Sequence, residues 1–166
     1  LLACQQVDDL STIAPVDIES YQRLVEENAS MAGFFGGEMT TYRDLLYGAM
    51  LPSGGEAADS IAINISGSVL SFVTLMNEKA EELALSNTHF QNADGMDAIG
   101  HYSSAEDMGK LLKYALEDGN FRAVFTKKDF LTSHTSEHPD GLYFKSTVFS
   151  KLEDYDQDGF EIIGGK

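Results

Sequence analysis

The chain has 166 residues, with 27 Asp and Glu against 11 Lys and Arg, so its formal net charge is −16. This charge, in a sequence without a local basic cluster, excludes non-specific binding to nucleic acid or to an anionic membrane surface. Because 43% of the residues are hydrophobic, the composition is that of a globular domain and not of a disordered acidic tail. We expect one domain that buries roughly 70% of the surface of its unfolded chain.

The N-terminal residues predict that the chain begins inside an element. Leu1-Leu2-Ala3-Cys4 has neither an initiator Met nor a basic flank, and it is typical of the last turn of an apolar helix. Cys4 is the only cysteine, so no intramolecular disulfide and no thiolate-only metal centre can form. No stretch approaches 18 consecutive apolar residues, so no membrane-spanning helix is predicted.

The next clear signals surround a Gly-rich turn. Thr41 and Asp44 have the spacing of a capping box, which predicts that a helix begins there. The sequence Pro-Ser-Gly-Gly at residues 52–55 ends that helix. A helical apolar stripe then resumes, formed by Ala57, Ala58, Ile61, Ala62 and Ile65. Ser53 therefore lies in a tight turn between two helices, and on local pattern alone it is a helix N-cap.

Two further helices are predicted. Between residues 69 and 85 the apolar side chains share one helical face: Val69, Phe72, Val73, Met76, Ala80 and Leu83. A polar loop follows over residues 87–103. Ser104 then caps another helix that ends at Asp118-Gly119, and its inward face is predicted to be Met108, Leu111, Leu112 and Ala115.

Beyond residue 119 the pattern changes from helices to strands. Apolar residues occur in short runs between polar and Gly-rich turns, which suits antiparallel strands: Phe130, Leu131, Leu142, Tyr143, Phe144, Val148, Phe149, Phe160, Ile162 and Ile163. Residues 1–119 are thus expected to be mainly helical and residues 120–166 mainly strands and loops. Together they indicate a single α+β domain.

Two motifs could bind metals, but their context favours loops. His134-Thr-Ser-Glu137-His138 has the H-x-x-E-H pattern of some zinc peptidases, yet Pro139 and the turn signal after it oppose the required helix. Asp154–Gly159 resembles the start of a calcium-binding EF-hand loop, but Gly165 stands where the bidentate Glu is needed. An acidic solvated turn accounts better for that segment. No metal and no other cofactor is expected.

Several blocks of the sequence form an ordered pattern. The longest runs from Gly37 to Ala58. The others are Gly67-Ser68, Phe72-Val73, Met76-Asn77 with Ala80, Asn87–Phe90 with Asn92, Gly95–Asp97, His101–Ser103 and Gly164–Lys166. In order and spacing these blocks resemble the low-molecular-mass penicillin-binding D-alanyl-D-alanine carboxypeptidases; the similarity covers most of the chain and is weakest around residues 120–160.

The resemblance implies a β-lactamase/DD-peptidase-like fold with Ser-x-x-Lys, Ser-x-Asn and Lys-Thr-Gly motifs. The first Ser would attack the peptide bond between two terminal D-alanines of a peptidoglycan stem peptide and form an acyl-enzyme that water hydrolyses. By the same resemblance, Ser53 is the Ser of the second motif and relays a proton to the leaving group. Lys166 is the Lys that recognises the terminal carboxylate of the substrate, and β-lactam antibiotics would be inhibitors.

This sequence departs from the family pattern in three places. It contains no Ser-x-x-Lys, and it stops at Lys166, where Thr-Gly would follow. We therefore expect a fragment, incomplete at both ends, that lacks the nucleophile and is inactive by itself. Gly55 stands where the family has the substrate-binding Asn. The parent is expected to retain reduced activity.

The substrate implied by the resemblance lies outside the cytoplasmic membrane. We accordingly expect an extracytoplasmic protein with a signal peptide upstream of this chain and, in the parent, a possible membrane anchor. The alternative function is a wall-associated binding domain of the same fold that has lost catalysis, an interpretation that Gly55 favours.

Overall fold

The computed structural model describes residues 1–152 and 161–166. The helices are α1 (Leu2–Gln6), α2 (Ile18–Glu26), α3 (Tyr42–Met50), α4 (Gly55–Ser66), α5 (Val69–Glu82), α6 (Ala105–Ala115), α7 (Gly119–Phe125) and α8 (Thr147–Leu152). The strands are β1 (Ile13–Pro15), β2 (Met39–Thr41), β3 (Asp129–Leu131) and β4 (Tyr143–Lys145). The possible calcium loop, Asp154–Gly159, lies outside the described residues.

Helix α4 is the central element and packs against α1, α2, α3, α5 and β1. Its buried side chains include Ala57, Ile61 and Ala62, and on α3 the side chain of Leu45 is fully buried. Small residues on α4 allow the neighbouring helices to approach closely. The turn between α3 and α4 therefore joins two helices that pack directly against each other.

The predicted helix starts are confirmed. The Thr41 hydroxyl accepts a hydrogen bond from the Asp44 N–H (3.1 Å) and donates one to its carboxylate (2.7 Å). Ser68 caps α5 and Ser104 caps α6. Each serine side chain accepts a hydrogen bond from the backbone N–H three residues further along, at Ser71 and Asp107. These side chains satisfy backbone donors that a helix N-terminus leaves free.

The end of α6 differs from the prediction. Its C-cap is Leu116, and Asp118 is the N-cap of a new helix, α7, accepting a hydrogen bond from the Phe121 N–H. Met108, predicted to face inward, is exposed. An acidic residue before Gly is compatible with both the end and the start of a helix. Here the apolar residues after Gly119 form a further helix, so Asp118 caps its start.

Two antiparallel pairs of short strands complete the described part of the fold. Ile13 pairs with Thr41 between β1 and β2, and Phe130 pairs with Phe144 between β3 and β4. The prediction of strands at Val148, Phe149, Ile162 and Ile163 is wrong, because the first two belong to α8 and the described residues 161–166 form no strand. Phe160, also predicted to lie in a strand, is outside the described residues. Helices with small antiparallel sheets confirm the α+β class.

Within residues 1–152 and 161–166, no single helix is long and apolar enough to cross a membrane. By length and composition, only α4 and α5 taken together, which meet at 87°, pass such a test.

Candidate functional site

The turn between α3 and α4, residues 52–55, carries the predicted site residues Ser53 and Gly55; we call it the Ser53 turn. Ser53 is half-buried and adopts φ 64°, in the left-handed region that side chains other than glycine seldom occupy. The N-cap of α4 is Gly54, so the interpretation of Ser53 as the N-cap is wrong. Among the described residues the Ser53 hydroxyl has no hydrogen-bond partner, which leaves it available for a ligand.

Two backbone hydrogen bonds hold the Ser53 turn. The Gly54 N–H donates to the carbonyl of Gly48 at 2.9 Å, and the Gly55 N–H donates to the carbonyl of Ser30 at 2.8 Å. A non-glycine residue in the left-handed region costs of order 1–3 kcal/mol and persists only where its surroundings enforce it. These bonds anchor both residues that follow Ser53.

Gly54 is required by close packing. A Cβ atom at this position would lie 2.6 Å from the Cβ of Ala32 and 2.8 Å from its backbone nitrogen. Non-bonded contacts this short are essentially never made by a Cβ atom, so either the Ser53 turn or residues 30–34 would have to move. We call residues 30–34 the brace segment.

Gly55, where the family pattern has Asn, also faces the interior. A Cβ here would lie 3.3 Å from both methyl carbons of Leu24 and 3.5 Å from the Ser30 carbonyl oxygen. Leu24, on α2, is fully buried. An Asn side chain at position 55 would therefore compete with Leu24 for space.

Glu56, which follows directly, was not identified from the sequence. Its side chain is fully buried, and its Oε1 accepts hydrogen bonds from the N–H groups of Ala32 (2.7 Å) and Gly33 (2.9 Å). Burial raises the pKa of Glu56, opposed by the backbone N–H groups of Gly33, of Glu56 itself, of Ala32 and of Phe34. An acidic residue in the first turn of a helix is common and indicates only a helix N-terminus. The burial of Glu56 depends on a segment distant in sequence, so it could not be predicted from that pattern.

Lys166 lies at a different cavity, of about 360 Å³. Most of the lining is apolar, contributed by α1, α3, α4, α5 and α6 and by Phe90 and Ala93, and Lys79 is the other charged residue. Although Lys166 is solvent-exposed, desolvation by this apolar wall lowers the pKa of its ammonium group. The wall includes Met50, three residues before Ser53, but Ser53 does not line this cavity, and among the described residues no hydrogen bond joins Ser53 to Lys166.

A second cavity, of about 370 Å³ and with a mainly polar lining, lies between α2, α4 and the loop that follows Asn92. The Arg23 guanidinium there bridges the carboxylates of Asp59 (2.7 Å) and Asp94 (2.8 Å). Burial and the neighbouring Asp94 raise the pKa of Asp59 to about 6 although Arg23 opposes the shift. These ion pairs connect α2 to α4 and to the loop. On α4 they involve Asp59, further along the helix than the Ser53 turn.

The zinc interpretation of His134 and His138 is wrong, because residues 132–138 form no helix. His138 instead pairs through Nδ1 with the buried Glu38 carboxylate (2.9 Å), and its ring stacks on Phe35. Within the described residues, no group of three or more His, Cys, Asp and Glu side chains could hold a metal ion. This histidine ties the loop after β3 to the segment before β2.

The family profile of D-alanyl-D-alanine carboxypeptidases matches residues 2–147. The chain is 39% identical over 120 residues to the D-alanyl-D-alanine carboxypeptidase DacF of Bacillus subtilis, covering 69% of this chain and 31% of DacF. Among solved structures, a mutant Streptomyces DD-transpeptidase superposes with a TM-score of 0.84 at 30% identity, covering 99% of this chain and 65% of that one. Penicillin binding protein 6B from Escherichia coli gives a TM-score of 0.76 at 25% identity, with coverages of 88% and 46%.

The chain spans about a third of the length of the curated relatives it matches. Because the family profile covers nearly all of α1 to the start of α8, and the fold agrees over almost the whole chain, this protein belongs to the D-alanyl-D-alanine carboxypeptidase family.

Proposed function

We propose that this chain forms part of a serine-type D-alanyl-D-alanine carboxypeptidase that removes the terminal D-alanine from peptidoglycan stem peptides. The observation that carries the proposal is the Ser53 turn, where a half-buried serine with an unengaged hydroxyl is enforced in the left-handed conformation. Conformational strain of this kind is concentrated at functional sites, where the surroundings maintain it.

The chemistry requires a nucleophile from a Ser-x-x-Lys motif, which this sequence lacks. In a longer chain that serine would attack the carbonyl carbon of the D-Ala-D-Ala peptide bond. The C–N bond then breaks, D-alanine leaves with a proton on its nitrogen, and water hydrolyses the acyl-enzyme to regenerate the serine. Ser53 would pass the proton to the leaving nitrogen, as a hydroxyl that both donates and accepts can do.

We assign Lys166 to the recognition of the terminal carboxylate of the substrate. The residue lines a largely apolar cavity, and beside apolar groups the attraction between opposite charges is stronger than in bulk water. The lowered pKa reflects the cost of holding the charge there, and a bound carboxylate would offset that cost.

The partners follow from the proposed reaction. Stem peptides ending in D-Ala-D-Ala would be the substrates, and β-lactam antibiotics would acylate the same serine. The name of one structural relative, penicillin binding protein 6B, supports the second statement. Since peptidoglycan lies outside the cytoplasmic membrane, we place the parent protein in the cell envelope or secreted, exported by an upstream signal peptide and possibly anchored to the membrane.

A fluorescent penicillin and a D-alanine release assay test this proposal in a full-length chain that carries all three motifs. We expect covalent labelling and D-alanine release, and we expect Ser53→Ala to lower the release rate at least about 100-fold, in the range for loss of a proton-transfer group. Lys113→Ala, a change of an exposed residue on α6, is the control and should retain the rate. A full-length protein without labelling at saturating probe would refute the proposal.

The second candidate function is a binding domain of the same fold without catalysis, and Gly55 favours it. The substrate-binding amide of the family pattern is missing there, and Leu24 is packed against the position. Stem-peptide binding without labelling or D-alanine release would support this alternative.

A further inference from the structure

We propose that Glu56 is a positioning residue for Ser53, acting through the brace segment. The inference rests on the proposed function only for the role of Ser53, because the coupling of Glu56 to the Ser53 turn is a property of the fold.

The carboxylate of Glu56 organises the brace segment. Its Oε1 accepts from the consecutive N–H groups of Ala32 and Gly33, at 2.7 and 2.9 Å. The backbone N–H of Phe34 also favours the ionised carboxylate and so opposes the rise in its pKa. Successive backbone N–H groups around one anion form a fixed concavity, so this side chain determines the path of the brace segment beneath the turn.

The brace segment in turn contacts the Ser53 turn directly. The carbonyl of Ser30 accepts the Gly55 N–H at 2.8 Å. No space separates the two segments at Gly54, where an added Cβ would meet Ala32 at 2.6 Å and Oε2 of Glu56 at 3.0 Å. A shift of the brace segment therefore moves Gly54 and Gly55, the two residues that anchor Ser53.

The second carboxylate oxygen also points to a role beyond packing. Oε2 of Glu56 is buried and has no hydrogen-bond partner among the described residues. An unsatisfied buried oxygen is costly, and an apolar side chain of similar shape would avoid that cost. Such an apolar side chain would also leave the N–H groups of Ala32 and Gly33 without their acceptor, so the brace segment would no longer be held in place.

The matched variants are Glu56→Gln and Asp59→Asn in the full-length protein. Asp59 lies one turn further along α4, is also fully buried and also has a carboxylate oxygen without a partner, but it binds Arg23 and not the brace segment. Thermal unfolding of both variants establishes that each of them folds. Only Glu56→Gln should slow acylation by a fluorescent penicillin, by roughly 10- to 100-fold, as expected when a reacting group is misplaced.

Native-state amide hydrogen exchange provides a readout that does not depend on activity. Glu56→Gln should accelerate exchange at Ala32, Gly33 and Gly55, and Asp59→Asn should leave these amides unchanged. Glu56→Asp, which keeps the charge, should restore part of the acylation rate.

Acylation of Glu56→Gln at the rate of Asp59→Asn, with unchanged exchange at Gly55, would overturn the inference. If the wild-type protein is not acylated, the proposed function fails, and the exchange data still decide whether Glu56 holds the turn. If Glu56→Gln does not fold, exchange in the wild-type protein decides: Ala32, Gly33 and Gly55 should be strongly protected, and fast exchange at Ala32 and Gly33 would contradict the proposal.

Discussion

Replacing Gly55 by Asn restores the residue of the family pattern, and the structure predicts that it destabilises this protein. The Cβ alone would lie 3.3 Å from both methyl carbons of Leu24, which is tighter than ordinary van der Waals contact. The amide group adds further atoms and a polar surface against a fully buried side chain. Overpacking of this kind costs typically 1–3 kcal/mol.

We take about 2 kcal/mol as the expected loss in the free energy of unfolding. For a domain of this size that corresponds to a fall of about 4–8 °C in Tm. Thermal and denaturant unfolding of Gly55→Asn would measure it. Gly109→Ala, on the exposed face of α6 with no atom within 4 Å of the added Cβ, is the control and should stabilise by about 0.5–1 kcal/mol.

A double-mutant cycle with Leu24→Ala tests whether the loss of stability in Gly55→Asn comes from its contact with Leu24. Leu24→Ala alone should cost about 2–5 kcal/mol, because the side chain is fully buried. In the Leu24→Ala background the added cost of Asn at position 55 should fall close to zero, a coupling of about 2 kcal/mol. Unchanged unfolding of Gly55→Asn, or strictly additive effects, would refute the reasoning.

Two other measurements test the structure. Ser53→Gly should be more stable than Ser53→Ala by about 1 kcal/mol, since φ 64° is strained only for residues with a Cβ, and equal stabilities would contradict this. In the full-length protein both variants should lose D-alanine release. The pKa of Asp59 is raised from 3.8 to about 6, so the stability it contributes is fully present below pH 3.8 and is lost as the pH rises through 6. At 1.36 kcal/mol per pKa unit, this decline in the free energy of unfolding is up to about 3 kcal/mol, and it should be missing from Asp59→Asn in denaturant titrations at several pH values. If the wild-type protein and the variant have the same pH dependence, the raised pKa of Asp59 is excluded.

Much of the fold could be predicted from the sequence where the signals are local. The predicted caps at Thr41 and Ser104 each act over three residues, and the apolar periodicity that begins at Val69 follows from the geometry of a single helix. The position of Ser53 between two helices was predictable for the same reason. Strands were harder to place, since Val148 and Phe149 suit a strand by composition but lie in α8.

The sequence by itself therefore determined the α+β class, the helices around residues 42–82 and the location of the Ser53 turn. Only the tertiary structure decided what that turn is made of: the left-handed Ser53, the packing of Leu24 against Gly55, and the buried Glu56 beneath both. The physical reason is separation along the chain. Glu56 meets Ala32 across 24 positions, and burial and contact at that distance depend on how α2, α3 and α4 pack, which no local pattern encodes.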